Sequence, residues 1–158
     1  MKNPAKKKFN WKMRIGEIMK KICLDTGIIT QYLSENPPAA IQDTLNRVIN
    51  GKLECHILNS VFVEIYNQIC KWKGVEFSRI AVTSFSLKVP FVKIALDDQI
   101  VLSAGILKCQ HRTTLSYIDC MSIAYCLNNK IEFHTTEKTL KHIKHNTLDK
   151  LKVKTYRF

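Results

Sequence analysis

Four acidic residues stand where a carboxylate could do chemistry rather than face water: Asp25, Glu64, Asp119 and Glu137. Asp25 ends the apolar run Ile22-Cys23-Leu24, and helical spacing starts directly after it. Glu64, in VFVEIYNQI, lies in the first turns of the helical segment that follows a second apolar run, Cys55–Leu58. Asp119 lies one turn into the helical segment that Ser116 opens, and Glu137 follows the run Ile131–His134 by three residues. Carboxylates gathered in one place repel one another and are costly to bury without a counter-charge. Hard divalent cations relieve that cost, because Mg²⁺ or Mn²⁺ takes oxygen ligands, one or two carboxylates each, and keeps several waters. Two such ions about 4 Å apart can activate a water and stabilise the leaving oxygen of a phosphodiester. Metal-assisted hydrolysis of a phosphate ester is therefore the chemistry these residues could share.

Each acid also has a structural explanation. Asp25 can cap the helix it precedes. Ser116-x-x-Asp119 has the form of a capping box with Asp in place of Glu or Gln. Glu64 can be the polar member of an amphipathic helix, and Glu137 can complement the dipole of the helix after it. Taken singly, these explanations suffice. Taken together, all four acids fall at the end of a strand or the start of a helix, and in a parallel sheet such positions converge on the carboxyl edge.

The elements that would bring them there can be read from periodicity. Strand-like runs at Ile22–Leu24, Cys55–Leu58, Pro90–Ala95 and Ile131–His134 alternate with helical patterns. The helical patterns cover about 26–33, 39–50, 61–73, 77–87, 97–108, 117–127 and 138–145. Pro37-Pro38, Asn50-Gly51 and Gly74 supply the stops. The stretch KLKVKTYRF alternates and can add an edge strand. Strands alternating with helices predict an α/β fold, a three-layer α/β/α sandwich with a central parallel sheet of four to five strands. Its expected divisions are a basic extension at 1–20, one domain at 21–150 and a tail at 151–158.

The net charge of +12 is unevenly spread. Residues 1–21 carry +7 and residues 138–158 carry +6, flanking a body that is close to neutral. Basic arms attract polyanions by steering and counterion release, so a polyanion is the expected partner. No apolar stretch approaches the roughly 18 residues of a membrane span, and no membrane partner is expected. Glu17, Lys20, Lys21 and Asp25 interrupt any signal-peptide core after the basic start, which makes the cytoplasm the expected location. The six cysteines form no C-x-x-C pair and sit in apolar surroundings, as small core residues of a reducing compartment do. His142 and His145 read as surface residues.

On these residues the chain resembles the PIN-domain ribonucleases, in particular the single-domain toxin type. LDTGIITQYL resembles the family's opening motif, a strand ending in Asp followed by Thr or Ser. HILNSVFVEIYNQI resembles the second motif, with Glu64 as its helix glutamate. LSYIDCMSIAYCLNNKIEFHTTEKTL resembles the third and fourth, with Asp119 opening a small-residue-rich helix and Thr135-x-Glu137 ending a strand. The resemblance covers about residues 20–145. It implies RNA cleavage dependent on Mg²⁺ or Mn²⁺, with Asp25, Glu64, Asp119 and Glu137 as catalytic metal ligands and Thr26 and Thr135 orienting carboxylates or waters. It also implies an antitoxin partner and a homodimer. Two departures are visible. Glu137 is one methylene longer than the commoner Asp, and Gly27 stands where Ser or another side chain is frequent, an arrangement expected to loosen the turn after Asp25.

Two other readings start from the same residues. A catalytically inactive nucleic-acid-binding module would keep the basic arms and use the acids only as caps. A phosphoryl-transfer enzyme would use Asp25 as nucleophile, but a second Asp two residues on is replaced by Gly27, and a Gly-rich phosphate loop is missing.

Overall fold

The computed structural model describes residues 19–138, 140, 143 and 149–158. Most of the expected basic extension, most of the expected 138–145 helix, and His142 and His145 lie outside the described residues. The elements run in the order β1 (Lys21–Leu24), α1 (Thr26–Tyr32), α2 (Ala39–Ile49), β2 (Glu54–Leu58), α3 (Asn59–Lys73), α4 (Val75–Lys88), β3 (Val92–Ile94), α5 (Asp98–Gln110), α6 (Tyr117–Asn129), β4 (Glu132–Thr135) and β5 (Val153–Thr155). All five strands are parallel, in the order β3-β2-β1-β4-β5. This is the α/β fold with a central parallel sheet that the alternation of elements predicts.

The central strand shows why the sequence folds this way. Ile22, Cys23 and Leu24 are fully buried, and only a strand covered on both faces can use a continuous apolar run. Side chains mark the two covering layers. His56 of β2 meets Tyr125 of α6 on one face. On the other, Tyr156, just beyond β5, bonds both His134 of β4 and Thr44 of α2. Since residues in register on parallel strands share a face, the pairs Cys23↔His56 and Leu24↔His134 put the two histidines on opposite sides. No helix among the described residues is long and apolar enough to cross a membrane.

Helix boundaries follow their local chemistry. Gly74 holds φ at +86°, a conformation that L side chains rarely adopt, and so separates α3 from α4 in a single residue. Asp97 caps α5 by accepting from the Ile100 N–H at 2.8 Å. The weak helical pattern at 77–87 belongs to α4. At the far end of α6 the helix runs through Asn129, and Lys130 takes the left-handed position at φ +55°.

The strand order places a switch point at β1. From β1 the chain steps outward to β2 and β3, then returns to lay β4 on the opposite side. In open parallel sheets the crevice outside the carboxyl ends of the strands at such a point is where ligands bind. Here it opens beyond Leu24 and Thr135.

Candidate active site

Asp25 follows β1 directly and is buried, with 5% of its surface exposed. Its main-chain N–H donates to the His134 carbonyl at 3.0 Å, which fastens the end of β1 to β4. One carboxylate oxygen, Oδ1, accepts from the Thr26 N–H at 2.7 Å, and the other, Oδ2, accepts from the Thr135 hydroxyl at 2.7 Å. Asp25 therefore caps α1 with one carboxylate oxygen and ties to β4 with the other, at the carboxyl edge of the sheet.

Glu64 reaches the same place from α3. The Thr26 hydroxyl donates to Glu64 Oε2 at 2.7 Å, across 38 residues of sequence. Asp119 arrives from α6, where it closes the capping box: its Oδ2 accepts from the Ser116 N–H at 2.9 Å while its own N–H donates to the Ser116 hydroxyl at 3.0 Å. The effect on Asp25 is large. Burial, then the negative charge of Asp119, and more weakly that of Glu64, raise its pKa from 3.8 to about 7, against the opposing hydrogen bonds from Thr135 and Thr26. Three of the four acids thus share one electrostatic field. Glu137 joins through its backbone: its N–H donates to the Thr135 hydroxyl at 2.9 Å.

Thr135 holds this arrangement together. It belongs to β4, one residue beyond the run that periodicity suggests, because it pairs with Thr155 of β5. Its hydroxyl accepts from Glu137 and donates to Asp25, so one atom fixes both the loop after β4 and the central carboxylate.

Gly27 corrects an expectation. A Cβ there would lie 2.0 Å from the Thr136 hydroxyl oxygen and 3.2 Å from Thr136 Cβ. The missing side chain does not loosen the turn after Asp25; Thr136 occupies its space, and the bare Cα lets the chain beyond β4 close onto the first turn of α1.

Two buried histidine networks were not foreseen. His56 bonds Glu54 through Nε2 at 2.6 Å and Tyr125 through Nδ1 at 2.5 Å. His134 repeats the pattern with Glu132 and Tyr156, both at 2.9 Å. Burial lowers the His134 pKa to about 4 despite the pull of Glu132. Burial draws Glu132 upward, but hydrogen bonds from Lys20 and His134 outweigh it and hold that carboxyl below its usual range. The visible signal was Glu-x-His at 54–56 and again at 132–134, since alternation puts such a pair on one face of a strand. Both networks brace the strands that flank β1, and the His134 carbonyl is the group that receives Asp25.

The donor set is all oxygen and carries excess negative charge, which suits a hard divalent cation. Among the described residues no three His, Cys, Asp or Glu side chains form a ready-made metal cage. An ion that keeps several waters and takes one or two carboxylates does not require one. A carboxylate oxygen can accept more than one bond, so the hydrogen bonds to Asp25, Glu64 and Asp119 leave acceptor capacity for a cation.

Similarity to known proteins agrees with this fold. No curated protein matches the sequence significantly. Among solved structures, VapBC2 from Rickettsia felis bound to a promoter DNA fragment superposes with a TM-score of 0.67 at 15% identity, covering 87% of this chain and 99% of that one. A toxin–antitoxin complex from Klebsiella pneumoniae gives 0.55 at 17% identity, covering 77% and 92%. VapC20 of Mycobacterium tuberculosis, a toxin that cleaves the sarcin–ricin loop, gives 0.55 at 17% identity, covering 71% and 86%. These likenesses concern the fold. The PIN domain family model matches residues 22–146, from the first residue of the buried β1 run past Glu137, and the chain accordingly belongs to the PIN-domain family.

Proposed function

We propose that this protein is a Mg²⁺- or Mn²⁺-dependent endoribonuclease. The observation that carries the reading is the placement of Asp25, Asp119 and Glu64 at the switch point of a parallel sheet, where burial first, and then the charges of Asp119 and Glu64, raise the Asp25 carboxyl to about 7. A purely structural cap has no need of two further carboxylates brought from α3 and α6. Asp25, Glu64 and Asp119, with Glu137 as a fourth ligand, would hold the ion. Such an ion supplies a more acidic water and neutralises charge on a phosphate. The chain's own groups do the rest. Thr135 and the Thr26 N–H orient Asp25, the Thr26 hydroxyl orients Glu64, and the Ser116 cap fixes Asp119. The basic terminal segments hold the RNA backbone.

We place it in a biological setting of toxin–antitoxin kind, as a cytoplasmic toxin held by an antitoxin, acting on RNA and pairing with a second copy; the neighbours described as a toxin–antitoxin complex and as a toxin that cleaves the sarcin–ricin loop support the antitoxin and the RNA. Incubating the protein with end-labelled tRNA and rRNA, with Mg²⁺, with Mn²⁺ and with chelator, tests the enzymatic part. Discrete cuts that disappear in chelator are expected. RNA binding with no cutting in either metal would instead favour an inactive binding module.

Thr135 offers a finer check. Thr135→Val removes the hydroxyl that orients Asp25 and is expected to lower cleavage by about 10- to 100-fold, the range for partners that position metal ligands. Thr135→Ser should keep most of the activity. Equal losses in both variants would assign Thr135 a packing role.

A further inference from the structure

We propose that the segment following β5, Tyr156 to Phe158, is a docking lip for single-stranded RNA, with Arg157 on a backbone phosphate and Phe158 stacked on a base. The proposal rests on the ribonuclease reading and specifies how that substrate is held.

Strand direction puts the segment on the correct side of the molecule. β5 runs parallel to β4 with Thr155 beside Thr135, so residues 156–158 emerge from the same carboxyl edge as the acids. Only β4 separates this segment from β1, and strands lie about 4.8 Å apart, so it leaves the sheet about 10 Å from the strand that carries Asp25.

The segment starts from a rigid anchor. Tyr156 is buried; its N–H donates to the Thr135 carbonyl at 2.9 Å, and its hydroxyl bonds Thr44 at 2.7 Å and His134 at 2.9 Å. Lys154 lies over the Tyr156 ring, 4.8 Å from its centroid. Immediately beyond, Arg157 is exposed and Phe158 leaves 67% of its surface in water. An aromatic ring left in solvent beside a guanidinium, at the end of a pinned strand, is the combination that binds single strands: every base has a face to stack, and every linkage has a charge to pair. Charge selects RNA over an apolar partner, since Lys150, Lys152, Lys154 and Arg157 stand against one acid, Asp149, in residues 149–158.

The test is fluorescence anisotropy with a labelled oligouridylate across a salt series, in chelator so that binding is read without cleavage. Phe158→Ala is expected to weaken binding by about 5- to 150-fold, the range for losing one stacked base. Phe158→Trp should retain affinity, and a duplex RNA of equal length should not register the change. Arg157→Ala should reduce the slope of log K against log salt by about 0.7, the value for one phosphate contact on a single strand. Both side chains are exposed, so the variants should fold as the parent does. Wild-type affinity in Phe158→Ala would overturn the proposal, and if that variant also lost self-association in sedimentation, the lip would be a contact between copies. Parallel cleavage assays separate the two readings. Metal-dependent cutting with unaltered binding in both variants would remove the lip alone. Weakened binding in a protein that cuts no RNA would remove the nuclease and leave the lip.

Discussion

Asp25→Asn should abolish RNA cleavage, by about 10³-fold or more, and at pH 8 should make the chain more stable. The two effects have one cause. The carboxylate is buried at the carboxyl edge with Asp119 and Glu64 acting on it, so its ionised form is costly in the folded state. The shift from 3.8 to about 7 corresponds to about 4 kcal/mol between the two protonation states. Asparagine keeps an acceptor for the Thr26 N–H and removes the charge, but the Thr135 hydroxyl loses its carboxylate acceptor. A net gain of about 2 kcal/mol is therefore expected. The loss of activity follows from removing a charged ligand whose task is worth several kcal/mol of transition-state stabilisation. Cleavage assays and thermal melts on the same preparations check both parts. If Asp25 were only a helix cap, Asp25→Asn would cut RNA at the parent's rate.

Divalent cations should raise the melting temperature of the parent chain at pH 8 and leave it nearly unchanged at pH 5. The folded chain keeps the Asp25 proton up to about pH 7, whereas the unfolded chain releases it near pH 4. Between those values the folded state binds more protons, so the contribution of Asp25 to stability is present at low pH and is lost as pH rises through about 7. Above that point Asp25 is an anion beside Glu64 and Asp119, and Mg²⁺ or Mn²⁺ offsets the repulsion; below it, a proton occupies the position. At a cation concentration ten times its dissociation constant the stabilisation is about 1.4 kcal/mol, or roughly 3–6 °C for a chain of this size. Cleavage should rise over the same pH interval. Scanning calorimetry with and without Mg²⁺, on the parent and on Asp25→Asn, measures the coupling. An equal Mg²⁺ shift in both proteins would locate the cation elsewhere.

Much of this site was legible from local patterns. The apolar run ending at Asp25, the Ser116-x-x-Asp119 box and the helix carrying Glu64 all depend on residues close together in sequence, and each occurs where the periodicity puts it. The end of β4 was not legible, because Thr135 joins the sheet through β5, a partner 20 residues away. Gly27 was misjudged for a similar reason: its neighbour Thr136 is 109 residues distant, and nothing around Gly27 signals that contact. The paired Glu-x-His motifs could have been noticed, but Tyr125 and Tyr156, which complete them, follow from packing alone.

The sequence by itself determined the elements and which acids stand at their ends, because caps, turns and periodicity arise from interactions a few residues long. Only the tertiary structure decided which acids act on one another. That depends on strand order: with β4 laid beside β1, Thr135 and Asp25 meet at the switch point, while α3 and α6 bring Glu64 and Asp119 into the same field. Coulomb energy depends on distance through space, and that distance exists only once the sheet has formed.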